Sequence, residues 1–496
     1  MKKNILKVCA LAGLIFTTSG CGNSFLETDN YTGVDIETGL NSVANISTAL
    51  NGTYYQLFYP YFAGNYSLAI GDIPTDLSYW NGKTGHWDDI YTFTFNDTDT
   101  YLKYIWEYGY KVADNAARII EASKAIYDSS NDEEKTQLDL CMAEAYALRA
   151  YSQLVLVNIY AHQIKVNGQD FSNEPGIVVI DMPKEALKNV SRSSIGDTYT
   201  AIITDLNNAL SSFDKAGGDR DDAKYIGKAA TYGILARTYL YMENWDGAIS
   251  AANSALSLKP KTNALAYTVD AYKALYDTPF KNTESFFELA ITNSNNWAAS
   301  SYGTLWSTYN FSPSPKLKAL YATTDCRTSI FGDGKDSTPQ APVFNGGKLS
   351  CASTGNPAVA TNYIVNAPEM YLIIAESYLK STTQYNISES QNALLKVAKR
   401  NSSITSISDL PSNDAGLLDF IKDERARELF QEGLRLYDLR RWDENADVYA
   451  YNSPDVAFTF SNYKISNLVF PIPSAEVNAG FGVEQNKDWA NSLPKK

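Results

Sequence analysis

The run YGILARTYLYMENWDGAISAANSALSLKP, from Tyr232 to Pro260, decides how this chain folds. Tyr232, Leu235, Ala236, Tyr239, Ala248, Ala252, Ala255 and Pro260 stand at the offsets of a tetratricopeptide unit, whose small residues let two antiparallel helices approach closely. Trp245 fills the turn between the helices and Pro260 stops the second one. A lone unit cannot bury both faces, so helices before Gly217 are expected to stack on it.

Upstream, apolar residues recur at helical spacing from Asn41 to Tyr127 and on to Ala161. Between Asp132 and Tyr160, Leu138, Met142, Ala145, Tyr146, Leu156 and Ile159 fall on one stripe. Lys165 to Ser191 reads as a loop with a strand at Ile177 to Ile180. Downstream, from Asn263 to Ala360, Ser, Thr, Asn, Gly and Pro mix with aromatics and no long helical period survives. That stretch is expected to be an irregular lobe with short strands. Helices return at Ala367–Leu379, Ser388–Arg400 and Leu417–Leu436, and the tail from Val456 alternates strand-like and loop segments. The fold class that follows is mainly α, a tetratricopeptide-like helical scaffold carrying a loop-rich lobe and a few short strands. The division is a leader at 1–20, an N-terminal region at 21–262 and a C-terminal region at 263–496.

The leader has Lys2, Lys3 and Lys7, an apolar stretch from Val8 to Phe16 and the small run Thr17 to Gly20, the pattern of a secretory signal peptide. Its apolar stretch is shorter than the roughly 20 residues a membrane span needs. Cys21 follows at the place where a bacterial lipoprotein is cut and acylated, although Thr18 stands where the usual lipobox has leucine. Loss of the three leader lysines takes the net charge from -14 to about -17, and an acidic surface repels phosphate backbones. Nucleic acid is not an expected partner. Of the remaining cysteines, Cys141 reads as a core thiol, and Cys326 and Cys351 lie close enough in one loop-rich stretch to be candidates for a disulfide.

Several stretches resemble the SusD/RagB family of outer-membrane lipoproteins. Ala367-Pro-Glu-Met-Tyr-Leu-Ile-Ile-Ala-Glu-Ser-Tyr378 is similar to its (R/A)-P-E-M-Y-L-I-x-A-E-A-Y motif, and ERARELFQEGLRLYDLRRW, Glu424 to Trp442, is similar to its E-R-x-x-E-L-x-x-E-G-x-R-x-x-D-L-x-R-W motif. Phe470-Pro-Ile-Pro473 with Glu476, Asn478, Gln485 and Asn486 resembles its closing segment, with Asn478 earlier than that spacing asks. Cys21, Phe25-Leu26-Glu27 and Asp29 resemble its start. The resemblance implies a surface lipoprotein, anchored in the outer membrane by lipid on Cys21, that binds oligosaccharides or polysaccharides and passes them to a SusC-like TonB-dependent transporter. A peptide-binding role, as in the RagB branch, stays open as the alternative. Arg435, Asp438, Arg440, Arg441 and Trp442, with Glu369 and Glu376, read as ties that lock the C-terminal helix to the core and not as a site.

Glycan capture asks for rings that stack on the C–H faces of sugars and for amides and carboxylates that meet the hydroxyls. The segment Gly71 to Asp89 supplies Asp72, Asp76, Tyr79, Trp80, Asn81, His86 and Trp87, with Trp80-Asn81-Gly82 as a turn whose ring is expected to be exposed. A second group, Asn295, Asn296, Trp297, Tyr302 and Trp306, lies in the irregular lobe, and the two are expected to converge on a shallow platform, with Trp80 and Trp297 outermost. Against an enzyme stand only two histidines, His86 and His162, no G-x-S-x-G elbow and no phosphate-cradling G-x-x-x-x-G-K-[ST] run. No catalytic residue and no cofactor are expected. The 56 acidic residues leave a surface glycoside hydrolase open, since that chemistry needs only two carboxylates. Metal is left open: Asp333-Gly-Lys-Asp336 offers two carboxylates without the later glutamate of a calcium loop.

Overall fold

The structure, a computed structural model, describes residues 39–494 apart from 81, 83, 260–263, 310, 332–343, 345, 446–447, 450–456, 459–463 and 488. The leader, Cys21, Asn81, Pro260 and the Asp333–Asp336 run therefore lie outside the described residues. Helices α1 (Val43–Phe58) and α2 (Tyr66–Asp72) lead into strand β1 (Ser78–Trp80) and a short α3 (Asp88–Tyr91). The two longest helices follow, α4 (Thr100–Tyr127) and α5 (Asp132–Tyr160). A capping box of Asn131 and Glu134 starts α5, and from Leu138 almost every side chain is buried, as in a helix surrounded on all sides. Helix α4 covers one side of it and α6 (Ile195–Lys215) another. The expected loop contains a hairpin, β2 (Lys165–Val166) with β3 (Gln169–Asp170). The expected strand at 177–180 does not form, because its amides bond to side chains: Val178 N–H to the Tyr110 hydroxyl at 3.0 Å and Ile180 N–H to Gln153 Oε1 at 2.8 Å.

The tetratricopeptide pair forms where its spacing predicts. Helices α7 (Lys228–Tyr241) and α8 (Trp245–Leu258) pack together through Ala236, Ala248, Ala252 and Ala255, all fully buried, and α6 stacks on α7. The lobe that follows is more helical than expected: α9 (Val269–Asp277), α10 (Tyr302–Ser307) and α11 (Pro315–Ala319) punctuate it. Its strands find distant partners. Strand β4 (Ser285–Glu288) pairs antiparallel with β6 (Tyr363–Asn366), and β5 (Phe311–Pro313) pairs with β1 so that Tyr79 faces Ser312 and Trp80 faces Phe311. Helices α12 (Ala367–Lys380), α13 (Ile387–Ala398), α14 (Asp414–Leu429) and α15 (Arg435–Arg441) come next, then the pair β7 (Val448–Tyr449) and β8 (Ala457–Phe458) and the short α16 (Ser474–Asn478). Cys326 and Cys351, candidates for a disulfide, are separate buried thiols, as is Cys141. Among the described residues no helix is long and apolar enough to cross a membrane.

The helix expected over 417–436 is broken at 430–434. Gln431 and Gly433 sit at φ 65° and 71°, the left-handed region that ends helices and favours glycine. The break receives α2 at backbone distance: a Cβ on Gly71 would lie 2.0 Å from the Gly433 carbonyl oxygen, and one on Gly433 2.7 Å from Leu68 Cα. Gly433 N–H donates to Asp72 Oδ2 at 3.0 Å.

The charged residues of the C-terminal motif are buried and paired, as expected for structural ties. Arg441 donates twice to Glu376, at 2.5 and 2.7 Å, and once to Asp438, at 2.9 Å. Arg425 also donates to Asp438, Trp442 Nε1 to Glu376, and Arg440 to the carbonyl oxygens of Asn158 and Ala161. Arg237 grips Glu369 with two bonds of 2.7 Å, joining α7 to α12. A second knot joins Arg327 to Asp325, Glu424 and Glu428, and Arg400 to Glu284 and Glu428.

Removing one member strands its partners in the interior, so Arg441→Met is expected to lower the unfolding free energy by about 3–5 kcal/mol. Urea denaturation checks this, and a loss below about 1 kcal/mol would mean that these charges are solvated after all. Asp72 titrates the other way from most carboxyls: burial pushes its pKa up to about 7, against the opposing hydrogen bonds from Gly433 N–H and the Tyr302 hydroxyl. The folded protein then holds this proton more tightly than the unfolded chain does. Its contribution to stability is full below the unfolded value near pH 4 and declines as the pH rises through about 7. Asp72→Asn keeps the neutral shape, so the stability difference between about pH 5 and about pH 8 should shrink by roughly 1–3 kcal/mol. Thermal or urea unfolding at the two pH values measures it.

Candidate functional site

The pairing of β1 with β5 brings the two aromatic groups together. Further ties join them: Asn65 Nδ2 donates to the Ser300 carbonyl at 3.0 Å and the Tyr302 hydroxyl to Asp72 Oδ2 at 2.9 Å. Exposure is another matter. Trp80 is only 7% exposed; its indole N–H donates to the Thr84 carbonyl and its edge meets Tyr91. Trp87 stacks on Tyr101 with centroids 4.1 Å apart, and Trp306 lies edge-on to Tyr302, Phe311, Phe344 and Phe430. Tyr79 and Tyr302 are buried too. Asp76 is held by Arg435 through bonds of 2.9 and 2.8 Å and by Lys316 at 2.7 Å, and these cations hold its carboxyl far below the usual range despite burial. Asp76, Tyr79, Trp80, Trp87, Tyr302 and Trp306 are thus buried as core and clamp residues, against the exposure expected of Trp80. Asn296 spends its amide on its own loop, donating to the Thr292 and Asn293 carbonyls and accepting from Ala298 N–H. His86, exposed, lies against half-buried Tyr309 at 4.0 Å.

Trp297 and the exposed Asn295 remain. Trp297 is half-buried, its indole N–H fixed to the Phe58 carbonyl at 2.9 Å, and it opens onto a strip of rings that sequence reasoning missed. Tyr59 lies 4.4 Å from Trp297 and stacks on Tyr108 at 4.8 Å; Tyr61 stacks on Tyr104 at 4.2 Å with planes 7° apart. Tyr55, 44% exposed, flanks Trp297 at one end, and Tyr66 joins Tyr61 to Tyr101 at the other. Two features of the sequence build the strip. Tyr101, Tyr104 and Tyr108 stand at i, i+3 and i+7, one stripe of α4. The turn after α1 then folds back, with Phe62 N–H and Gly64 N–H both donating to the Tyr59 carbonyl, and sets Tyr59 and Tyr61 over that stripe. That spacing on α4 is the signal the sequence offers for the strip.

The strip's chemistry is that of neutral phenols. Burial, with the neighbouring Tyr59 and Glu107, pushes the Tyr108 pKa up to about 12, and burial and adjacent phenols raise those of Tyr61 and Tyr66. These hydroxyls stay protonated at neutral pH and can both donate and accept. Lys111 sits 4.1 Å over the Tyr108 ring while pairing with Glu107 at 2.7 Å, so the strip's edge carries balanced charge. Among the described residues no group of three or more His, Cys, Asp and Glu side chains could hold a metal ion.

Comparison with known proteins agrees with this architecture. Residues 367–489 match the model of the SusD family, and residues 24–240 match a SusD-like model described as starch-binding and associating with the outer membrane. No curated protein matches the chain. A SusD superfamily protein of Bacteroides vulgatus is 24% identical over 92% of this chain and 100% of its own, with a TM-score of 0.77. One from Bacteroides thetaiotaomicron is 22% identical over 90% and 99%, at 0.76. A SusD-like carbohydrate binding protein of Bacteroides vulgatus is 20% identical over 92% and 99%, at 0.71. With its two ends matched by two models of one family and its fold shared along nearly its whole length, the chain belongs to the SusD family.

Proposed function

We propose that this protein captures oligosaccharides at the cell surface on the tyrosine strip around Trp297 and hands them to a SusC-like TonB-dependent transporter. Lipid on Cys21 would hold it on the outer membrane, which the leader and the family's outer-membrane description support. The observation that carries the reading is the strip itself: half-exposed rings side by side, with protonated hydroxyls at their edges, in a chain holding 35 tyrosines. Sugars offer flat C–H faces and a rim of hydroxyls, and such rings meet both. The starch-binding description and the relative named for carbohydrate binding support a glycan over other nutrients. Asn295, exposed beside Trp297, would supply an amide at the strip's end.

Isothermal titration with a panel of neutral oligosaccharides tests this. Trp297→Ala, Tyr59→Ala and Tyr104→Ala should each weaken binding by about 0.5–1.5 kcal/mol. Trp80→Ala should instead lower stability and leave the affinity of the folded protein nearly unchanged. Unaltered affinity in all three strip variants would remove the site from consideration.

A further inference from the structure

We propose that Tyr61 and Tyr104 are a modification site, where a one-electron oxidant fed by hydrogen peroxide joins the two rings into a dityrosine bridge. The proposal does not depend on the glycan reading. The ring centroids lie 4.2 Å apart with planes 7° apart, the closest tyrosine pair among the described residues. Near-parallel rings at that distance bring the carbons beside one hydroxyl within van der Waals reach of those on the other ring. Neighbouring tyrosines meet edge-on instead, Tyr59 with Tyr61 at 61° and Tyr61 with Tyr108 at 81°.

The strip's second stacked pair is the poorer candidate. Tyr59 and Tyr108 are 4.8 Å apart and inclined by 20°. The Lys111 ammonium, partly offset by Glu107, sits 4.1 Å from the Tyr108 centroid, against 5.5 Å for Lys103 over Tyr104. Positive charge beside a ring opposes the loss of an electron from it, the more so the closer it lies. Other rings feed the first pair. From Tyr55 through Trp297, Tyr59, Tyr61, Tyr66 and Tyr101 to Trp87, each centroid is within 5.7 Å of the next. A radical formed on the exposed Tyr55 can pass between touching rings until it reaches two phenols held face to face. Tyr61 and Tyr104 are themselves only half-buried, so an oxidant can also reach them directly.

In the reaction each phenol gives up one electron to the oxidant and one proton to water. The two phenoxyl radicals form one carbon–carbon bond between ring positions ortho to their oxygens. The hydrogens on those carbons leave as protons and the oxygens are reprotonated, which restores both phenols. One hydrogen peroxide takes up the two electrons and two protons and becomes two waters. Radicals on separate molecules must first meet by diffusion, whereas these rings are already in place. The bridge ties the turn after α1 to α4, segments far apart in the chain, and so restricts the unfolded state as any cross-link between distant residues does.

Treatment of the dilute full-length protein with a heme peroxidase and hydrogen peroxide tests this. The expected product is a monomer lighter by two hydrogen atoms that fluoresces as dityrosine. Its proteolytic digest should contain a cross-linked peptide pair holding Tyr61 and Tyr104, and its urea midpoint should lie above that of untreated protein. Tyr61→Phe and Tyr104→Phe keep the stacked ring but cannot form the phenoxyl, so each should lower the yield of bridged monomer at least about tenfold. Tyr385→Phe alters the most exposed tyrosine among the described residues, at 50%, and should leave the yield unchanged. Absence of dityrosine, dityrosine found only between molecules, a bridge mapped to other tyrosines, or a yield that survives both Phe variants overturns the proposal.

Discussion

Everything in this molecule hangs on a set of arginines that have been taken out of water together with their carboxylates. An isolated ion in the interior is very costly, so each guanidinium is tolerated only where its partners arrive in register. Arg441 and Arg425 meet on Asp438, Arg441 reaches across to Glu376 on α12, and Arg435 reaches to Asp76 in the segment before β1. These contacts join residues more than 300 positions apart in the chain at Asp76 and Arg435. A slip of any one element would strand several charges at once. The ties therefore set register more than they add stability, since apolar replacements of similar volume commonly serve stability as well.

That constraint propagates to the surface. With Asp76 pinned by Arg435 and Lys316, the following strand β1 has a fixed position, and β5 pairs with it. Ser314 then caps α11 and bonds back to the Asp76 carbonyl, closing the loop between the two lobes. The contact of Gly71 with the Gly433 carbonyl works in the same direction, bringing α2 and the turn after it against the C-terminal helices at backbone distance. Tyr59, Tyr61 and Tyr66 lead into that helix. The half-buried rings of the strip are thus presented from a foundation set by buried charge.

The scaffold was legible because its signals are local. Alanines at tetratricopeptide offsets and the helical period of α5 report what packs against them, whereas the charges of the E-R-x-x-E-L run, readable as solvated or paired, turn out buried. The misreadings of exposure were non-local. Asn81 and Gly82 beside Trp80 suggest an exposed tip, but whether that ring is covered depends on β5, more than 200 residues later in the chain. The same holds for Trp306, sealed by Phe430 from the C-terminal motif. The lack of a long helical period in the irregular lobe is visible in its sequence; its strand partners are not, because pairing of β4 with β6 and of β1 with β5 is a tertiary fact. The break at 430–434 sits between legible and not: Gly433 permits a left-handed turn, but only the approach of α2 requires one.

The two faces of α4 show why aromatic counts decide little by themselves. Tyr104 and Tyr108 on one side and Trp106 and Tyr110 on the other belong to one turn-and-a-half of helix, yet their surroundings differ in kind. On the first side each ring neighbours other rings and keeps a wet edge with a protonated hydroxyl, conditions suited to a partner that is half hydrocarbon face and half hydroxyl. On the second, the rings are walled by Val178, Ile180 and Pro473, and the polar atoms have moved out to a charged lip. The chemistry of a surface ring is therefore fixed by what lies between it and the solvent.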